Sequence, residues 1–151
     1  MSDRTADARD SIRVDAPPSE VFAFLDDPYN HAAVTPRLTD VRDVERLENG
    51  GKRLAYTYRM AGVGIDGRLV QTVHDPPNRM CFELQGTLQG TIDLRFEPLD
   101  GGAATSLTYA AEYSLPASVL SAAAEPVVRR FNERQLRATL RNVADRFDDV
   151  R

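Results

Sequence analysis

Gly86-Thr-Leu-Gln-Gly-Thr-Ile-Asp-Leu-Arg-Phe-Glu97 alternates without a break. Leu88, Gly90, Ile92, Leu94 and Phe96 fall on one face, and Gln89, Thr91, Asp93, Arg95 and Glu97 on the other. Successive side chains of a strand point to opposite faces, so this stretch is a strand covered on one side and wetted on the other. The pattern extends outwards. Leu54, Tyr56, Tyr58 and Met60 share a parity, as do Ile65, Leu69, Gln71 and Val73, then Met80, Phe82 and Leu84, and finally Leu107, Tyr109, Ala111 and Tyr113. Turn signals separate them at Asn49-Gly50, Gly62 to Gly64, Pro76-Pro77-Asn78, Gly86-Thr87 and Asp100-Gly101-Gly102. No gap holds the dozen-residue crossover that parallel strands need, so residues 38–115 read as six antiparallel strands in a meander. A doubly wound sheet is excluded.

The flanks complete the outline. Residues 1–9 show no periodicity and are expected as a loose tail, with one domain over 10–149. Ile12 and Val14 mark a short strand from Ser11 to Asp15. Pro18 suits a first helical turn, and Val21, Phe22 and Leu25 share one face of a helix over 18–26. Asp27 is placed to cap a second short helix that ends near Thr35-Pro36. Residues 117–149 are rich in Ala, Leu, Arg and Glu. They predict a long helix which, counted from Pro126, spans about 34 Å, enough to cross the sheet. Leu120, Ala124, Val128 and Phe131 form one apolar stripe, and Leu136, Leu140, Val143 and Phe147 another.

Composition sets limits. The 151 residues are 42% hydrophobic and 28% charged, with a net charge of −4. This suits one compact domain and is too apolar for disorder. No apolar run approaches the roughly 20 residues of a membrane span, and the polar opening MSDRTADARD is unlike a secretory signal, so a cytoplasmic location is expected. The acidic balance argues against nucleic acid as a partner. Lys52 is the only lysine among 19 basic residues, a bias that reads as GC-rich coding or a saline cytoplasm in a prokaryote. Cys81 is the only cysteine, so an internal disulfide and thiolate metal clusters are excluded.

The candidate chemistry is sparse. His31 and His74 lack metal-ligand spacing and read as surface residues, so neither a metal nor a cofactor is expected. Ala61-Gly-Val-Gly-Ile-Asp-Gly67 has glycines but no following helix to hold a phosphate, and reads as a hairpin. Cys81 falls on the polar parity of its strand as a plain thiol. Arg130, Arg134, Arg137 and Arg141 line one stripe of the long helix. They fit a solvated face with pairs such as Glu133–Arg137 and Arg141–Asp145, or a peripheral contact with an anionic membrane surface, ribosomal RNA or an acidic partner.

The order strand, two short helices, six antiparallel strands and a terminal helix is an α+β helix-grip arrangement. Ile12-Arg-Val-Asp-Ala-Pro-Pro-Ser-Glu-Val-Phe-Ala-Phe-Leu-Asp-Asp-Pro28, Thr35-Pro36, Val73-His-Asp-Pro-Pro-Asn-Arg-Met80 and Phe96-Glu-Pro-Leu-Asp-Gly-Gly-Ala-Ala-Thr105 resemble the START-like superfamily, in its polyketide cyclase/dehydrase-like branch. The resemblance runs from about residue 10 to 148 and implies a curved sheet wrapping the terminal helix, with an apolar ligand held between them. The absence of tryptophan and an aromatic content of only 7% also leave such a gap poorly filled.

The side chains expected on the ligand are Tyr56, Tyr58, Leu69, Gln71, Phe82, Leu84, Ile92, Leu94, Tyr109, Tyr113, Leu120, Ala124, Val128, Phe131 and Gln135. The tyrosine hydroxyls and the two amides would supply its polar contacts. Tyr29, the Gly62–Gly64 turn and residues 115–124 would form the mouth. The leading expectation is a carrier of a small hydrophobic molecule such as a lipid, quinone, sterol or polyketide. The resemblance allows two alternatives. One is a cyclase using Tyr56 or Tyr58, with Asp66 and Arg68 on the outward parity. The other is an interaction module of co-chaperone or ribosome-associated type, with a homodimer also allowed.

Overall fold

The computed structural model describes residues 3–60, 63–116 and 125–148. The elements run β1 (Asp3–Val14), α1 (Pro18–Asp26), α2 (Pro28–Val34), β2 (Leu38–Arg46), β3 (Lys52–Met60), β4 (Val63–Asp75), β5 (Arg79–Gly86), β6 (Gln89–Leu99), β7 (Ala104–Pro116) and α3 (Glu125–Asp148). All seven strands form one curved antiparallel sheet in the order β1-β7-β6-β5-β4-β3-β2. The meander is thus as its turns imply. β1 closes the sheet beside the last strand.

The loose tail is corrected. β1 begins at Asp3 and pairs with β7 from Asp3–Pro116 to Val14–Thr105. Backbone pairing along an edge strand needs no apolar run, which is why hydropathy does not mark it. Ala8, Ile12 and Val14 do turn towards the core. Asp10, which interrupts that parity, lies 3.8 Å from Arg137 on α3.

The short helices form as their sequence dictates. Pro18 opens α1, and Val21, Phe22 and Leu25 are buried beneath it. Phe22 packs against Phe96 on β6, the rings tilted at 58° with 5.2 Å between centroids. The Asp27 carboxylate accepts from the backbone N–H groups of Tyr29 (2.9 Å) and Asn30 (3.4 Å), capping α2.

The long helix lies chiefly against β1, with smaller contacts to β7 and α2. Leu136, Leu140 and Val143 are buried there, and Phe147 meets Phe24 edge-on at 5.7 Å. Asn142 donates to the Val34 carbonyl (3.0 Å), tying α3 to the end of α2. The second apolar stripe builds the core, and Phe131 of the first packs against it. Leu120, Ala124 and the side chain of Val128 lie outside the described residues.

Two irregularities matter for the interior. β4 carries a bulge between Gln71 and Val73. Gln71 pairs with Phe82 and His74 with Met80, so both face inwards, while Val73 pairs with Cys81 and leaves the inner parity expected of it. At Gly90 the backbone adopts φ +152, and a Cβ there would run into the Glu112 carbonyl oxygen of β7. Only glycine fits that crossing.

Candidate functional site

A hollow of about 750 Å³ between atom surfaces, mouth included, lies between the inner face of the sheet and the two short helices. About 70 Å³ of it is open to the centre of a water molecule. That is room for roughly five waters, so the space is narrow but not plugged by side chains. Its floor is the apolar parity of the strands, with Leu54, Tyr56 and Tyr58 from β3, Leu69 and Gln71 from β4, and Phe82 and Leu84 from β5. Ile92 from β6 and Tyr109 and Tyr113 from β7 continue it. Leu25 and Asp26 of α1 and Pro28 and His31 of α2 form the roof, and Leu38 and Val41 of β2 close one side.

Nine of the expected ligand residues meet here: Tyr56, Tyr58, Leu69, Gln71, Phe82, Leu84, Ile92, Tyr109 and Tyr113. Others do not. Leu94 shares their parity but is sealed in the core at 0% exposure. Phe131 packs on Tyr58 from outside, 6.3 Å between centroids. The buried Oε1 of Gln135 has no hydrogen-bond partner, but the residue does not line the hollow. Among the described residues no side chain of α3 lines it, because that helix leans on β1 and leaves the centre of the sheet to α1 and α2. Among the described residues the cavity is roofed by the short helices, while Leu120, Ala124 and the side chain of Val128, expected along it, lie outside them.

The phenols sit in a dry environment. Burial pushes the Tyr56, Tyr58 and Tyr109 hydroxyls up from their ordinary range, with Tyr113 as a further cause in each, and pushes Tyr113 up to about 12. All four are neutral donors at neutral pH. Tyr56 Oη is buried without a hydrogen-bond partner, lying over Gly67, where a Cβ would come within 2.8 Å of it. Gln71 is 2% exposed; its Oε1 accepts from the Lys52 backbone N–H (3.0 Å), and its Nε2 has no partner.

Both histidines correct their surface assignment. The His31 ring points into the hollow, edge-on to Phe82 at 5.7 Å, and burial pushes its pKa down to about 4. A lone polar residue in a seven-residue helix gives no sequence signal of this. His74 is turned inwards by the β4 bulge, with its ring 5.5 Å from Phe22 and its Nε2 3.2 Å from each oxygen of the Asp26 carboxylate. Lys52 Nζ donates to the Asp26 carbonyl (2.9 Å) and stands 3.6 Å from its carboxylate. Asp26, Lys52 and His31 are the polar residues that sequence reading misses.

The remaining candidates lie elsewhere. Asp66 and Arg68 are exposed on the outer face, where Asp66 accepts from the Thr57 hydroxyl at 2.7 Å. Cys81 sits on that face beside Arg79 and Asp93; burial and then Asp93 push its thiol up, which makes it a poor nucleophile. Arg130, Arg134, Arg137 and Arg141 are exposed on α3. Tyr29, from the expected mouth, is 60% exposed, and residues 61, 62 and 117–124 lie outside the described ones. Among the described residues no group of three or more His, Cys, Asp or Glu side chains is placed to hold a metal ion, and no helix is long and apolar enough to cross a membrane.

The profile of the family described as "Polyketide cyclase / dehydrase and lipid transport" matches residues 5–148. A Thermus thermophilus protein of known structure superposes with a TM-score of 0.81 at 16% identity, over 95% of this chain and 98% of that one. A START superfamily protein from Mycobacterium smegmatis gives 0.80 at 13% identity, over 96% and 99%. An aromatase/cyclase from a Streptomyces species gives 0.79 at 17% identity, over 98% and 97%. Similarities at these identities establish the shared fold. No curated protein sequence matches.

Proposed function

Because this chain belongs to the START-like family of polyketide cyclases, dehydrases and lipid transporters, we propose that it binds and carries a small apolar molecule in the cavity under α1 and α2. The observation that carries this reading is an apolar hollow bordered by polar groups that lack protein partners, Tyr56 Oη and Gln71 Nε2. Buried polar atoms are ordinarily paired, and a guest with matching oxygens would complete them. The narrow space favours a slender acyl chain or a planar ring system over a bulky sterol. We place this function in one domain that includes residues 3–9, and in the cytoplasm.

Catalysis is the weaker reading. Aldol cyclisation needs a base beside the substrate as well as a donor. The four phenols donate but hold their protons, an imidazole with a pKa near 4 is a feeble base at pH 7, and the Asp26 carboxylate on the cavity border is engaged by His74 and Lys52. Asp66 and Arg68 point away from the cavity.

Native mass spectrometry after incubation with an apolar cell extract tests the carrier. Retention of one class of small molecule, lost when Leu84 is replaced by Trp to fill the cavity, is the expected result. An empty protein with no affinity for any lipid or quinone would sink the proposal. Turnover of a polyketide mimic that disappears in Tyr56→Phe or Tyr58→Phe would instead promote the cyclase.

A further inference from the structure

The Lys52 end of the cavity differs from the rest. Asp26 and Lys52 border it, His74 stands behind Asp26, and Gln71 lies beside Lys52 on the neighbouring strand. In the Nε2–H tautomer the His74 ring donates to the Asp26 carboxylate. Its single hydrogen is directed at Oδ2, and Oδ1, also 3.2 Å from Nε2, is buried and makes no hydrogen bond of its own. Gln71 Oε1 is held by the Lys52 backbone N–H, which fixes the amide and leaves the Nε2 donor without a partner at a residue 2% exposed. An unpaired acceptor and an unpaired donor thus belong to two residues that border the same cavity, joined through Lys52, whose Nζ binds the Asp26 carbonyl.

We propose that this end is a recognition site for a neutral ligand group that both donates and accepts a hydrogen bond, a hydroxyl or an enol. The hydroxyl would donate to Asp26 Oδ1 and accept from Gln71 Nε2, the two unpaired atoms at this end. The charges argue for neutrality. The Lys52 ammonium is already offset by Asp26 at 3.6 Å, so no net positive charge is left to draw an anion out of water. A carboxylate in the ligand would face the Asp26 oxygen directly. A plain hydrocarbon would leave both polar atoms buried and unpaired. The inference rests on the cavity being the binding site. It adds the chemistry of the guest's polar end, away from the tyrosines; Tyr56 lies four residues along β3 from Lys52, about 13 Å at the rise of a strand.

Four probes of one ring size separate these cases: naphthalene, 2-naphthol, 2-methoxynaphthalene and 2-naphthoate, titrated by fluorescence against the full chain. In the wild type, 2-naphthol is expected to bind about tenfold tighter than naphthalene. The methyl ether accepts but cannot donate, so it should lose most of that advantage, and the naphthoate should bind more weakly than naphthol. The ratio of naphthol to naphthalene affinity should fall at least fivefold in Gln71→Met and in Asp26→Asn. The wild-type comparison of naphthol with its ether needs no variant to fold. Equal binding of naphthol, ether and naphthalene would overturn the recognition site while leaving the cavity reading intact, as would a preference that survives both substitutions. Failure of all four to bind would overturn both.

Discussion

The His31 imidazole lies edge-on to Phe82 and is neutral in the fold, its pKa pushed from 6.5 down to about 4 by burial. The unfolded chain takes up a proton below pH 6.5 that the folded chain refuses, so this residue's stability contribution is complete above pH 6.5 and lost as pH falls towards 4. The shift corresponds to a loss of up to about 3 kcal/mol across that window. Urea unfolding at pH 7 and pH 4.5 should show a His31→Phe variant losing roughly 2 kcal/mol less than the wild type over the interval. Equal losses would show that His31 is not the group responsible. Such a histidine is hard to recognise from sequence. Its spacing within α2 is unremarkable, and only the approach of β5 beneath the helix makes its surroundings dry. Tyr56 is the opposite case, since its inward parity on β3 is written in the alternation of Leu54, Tyr56 and Tyr58.

At the scale of elements, α3 contributes to the core through one stripe and meets water with the other. Leu140 is 1% exposed, while Arg134 on the far side is open to solvent. Leu140→Ala is expected to cost about 3 kcal/mol, by lost transfer energy and a residual cavity, and Arg134→Ala less than about 0.5 kcal/mol. Chemical denaturation of the two variants checks the contrast, and comparable costs would refute this placement of the helix. The 3.6-residue period identifies the helix and its stripes. It does not say which strand the helix will lie against, because Leu136, Leu140 and Val143 would be equally well buried on β1 or at mid-sheet. The β4 bulge sets a similar limit. Alternation predicts Gln71 correctly, then fails two residues later, and so hides His74 from any count by twos.

For the whole molecule, the pairing of β1 with β7 decides where the sheet ends. Residues 3–9 cover the outer part of β7, from Ala110 to Pro116. Removing residues 1–9 should expose that edge, lower the melting temperature and promote association through unpaired N–H and C=O groups, as seen by size-exclusion chromatography. An unchanged monomer with an unchanged melting temperature would restore the view of this segment as a tail. The sequence by itself determined the element order, the antiparallel meander, the capped short helices and the inward face that carries the four tyrosines, because side-chain periodicity and turn chemistry are local properties of the chain. Tertiary structure decided that the hollow lies under α1 and α2, that Asp26, Lys52 and His74 meet at one end of it, and that the first residues are a strand. These depend on contacts between segments far apart in sequence, and on backbone pairing that side-chain pattern does not encode.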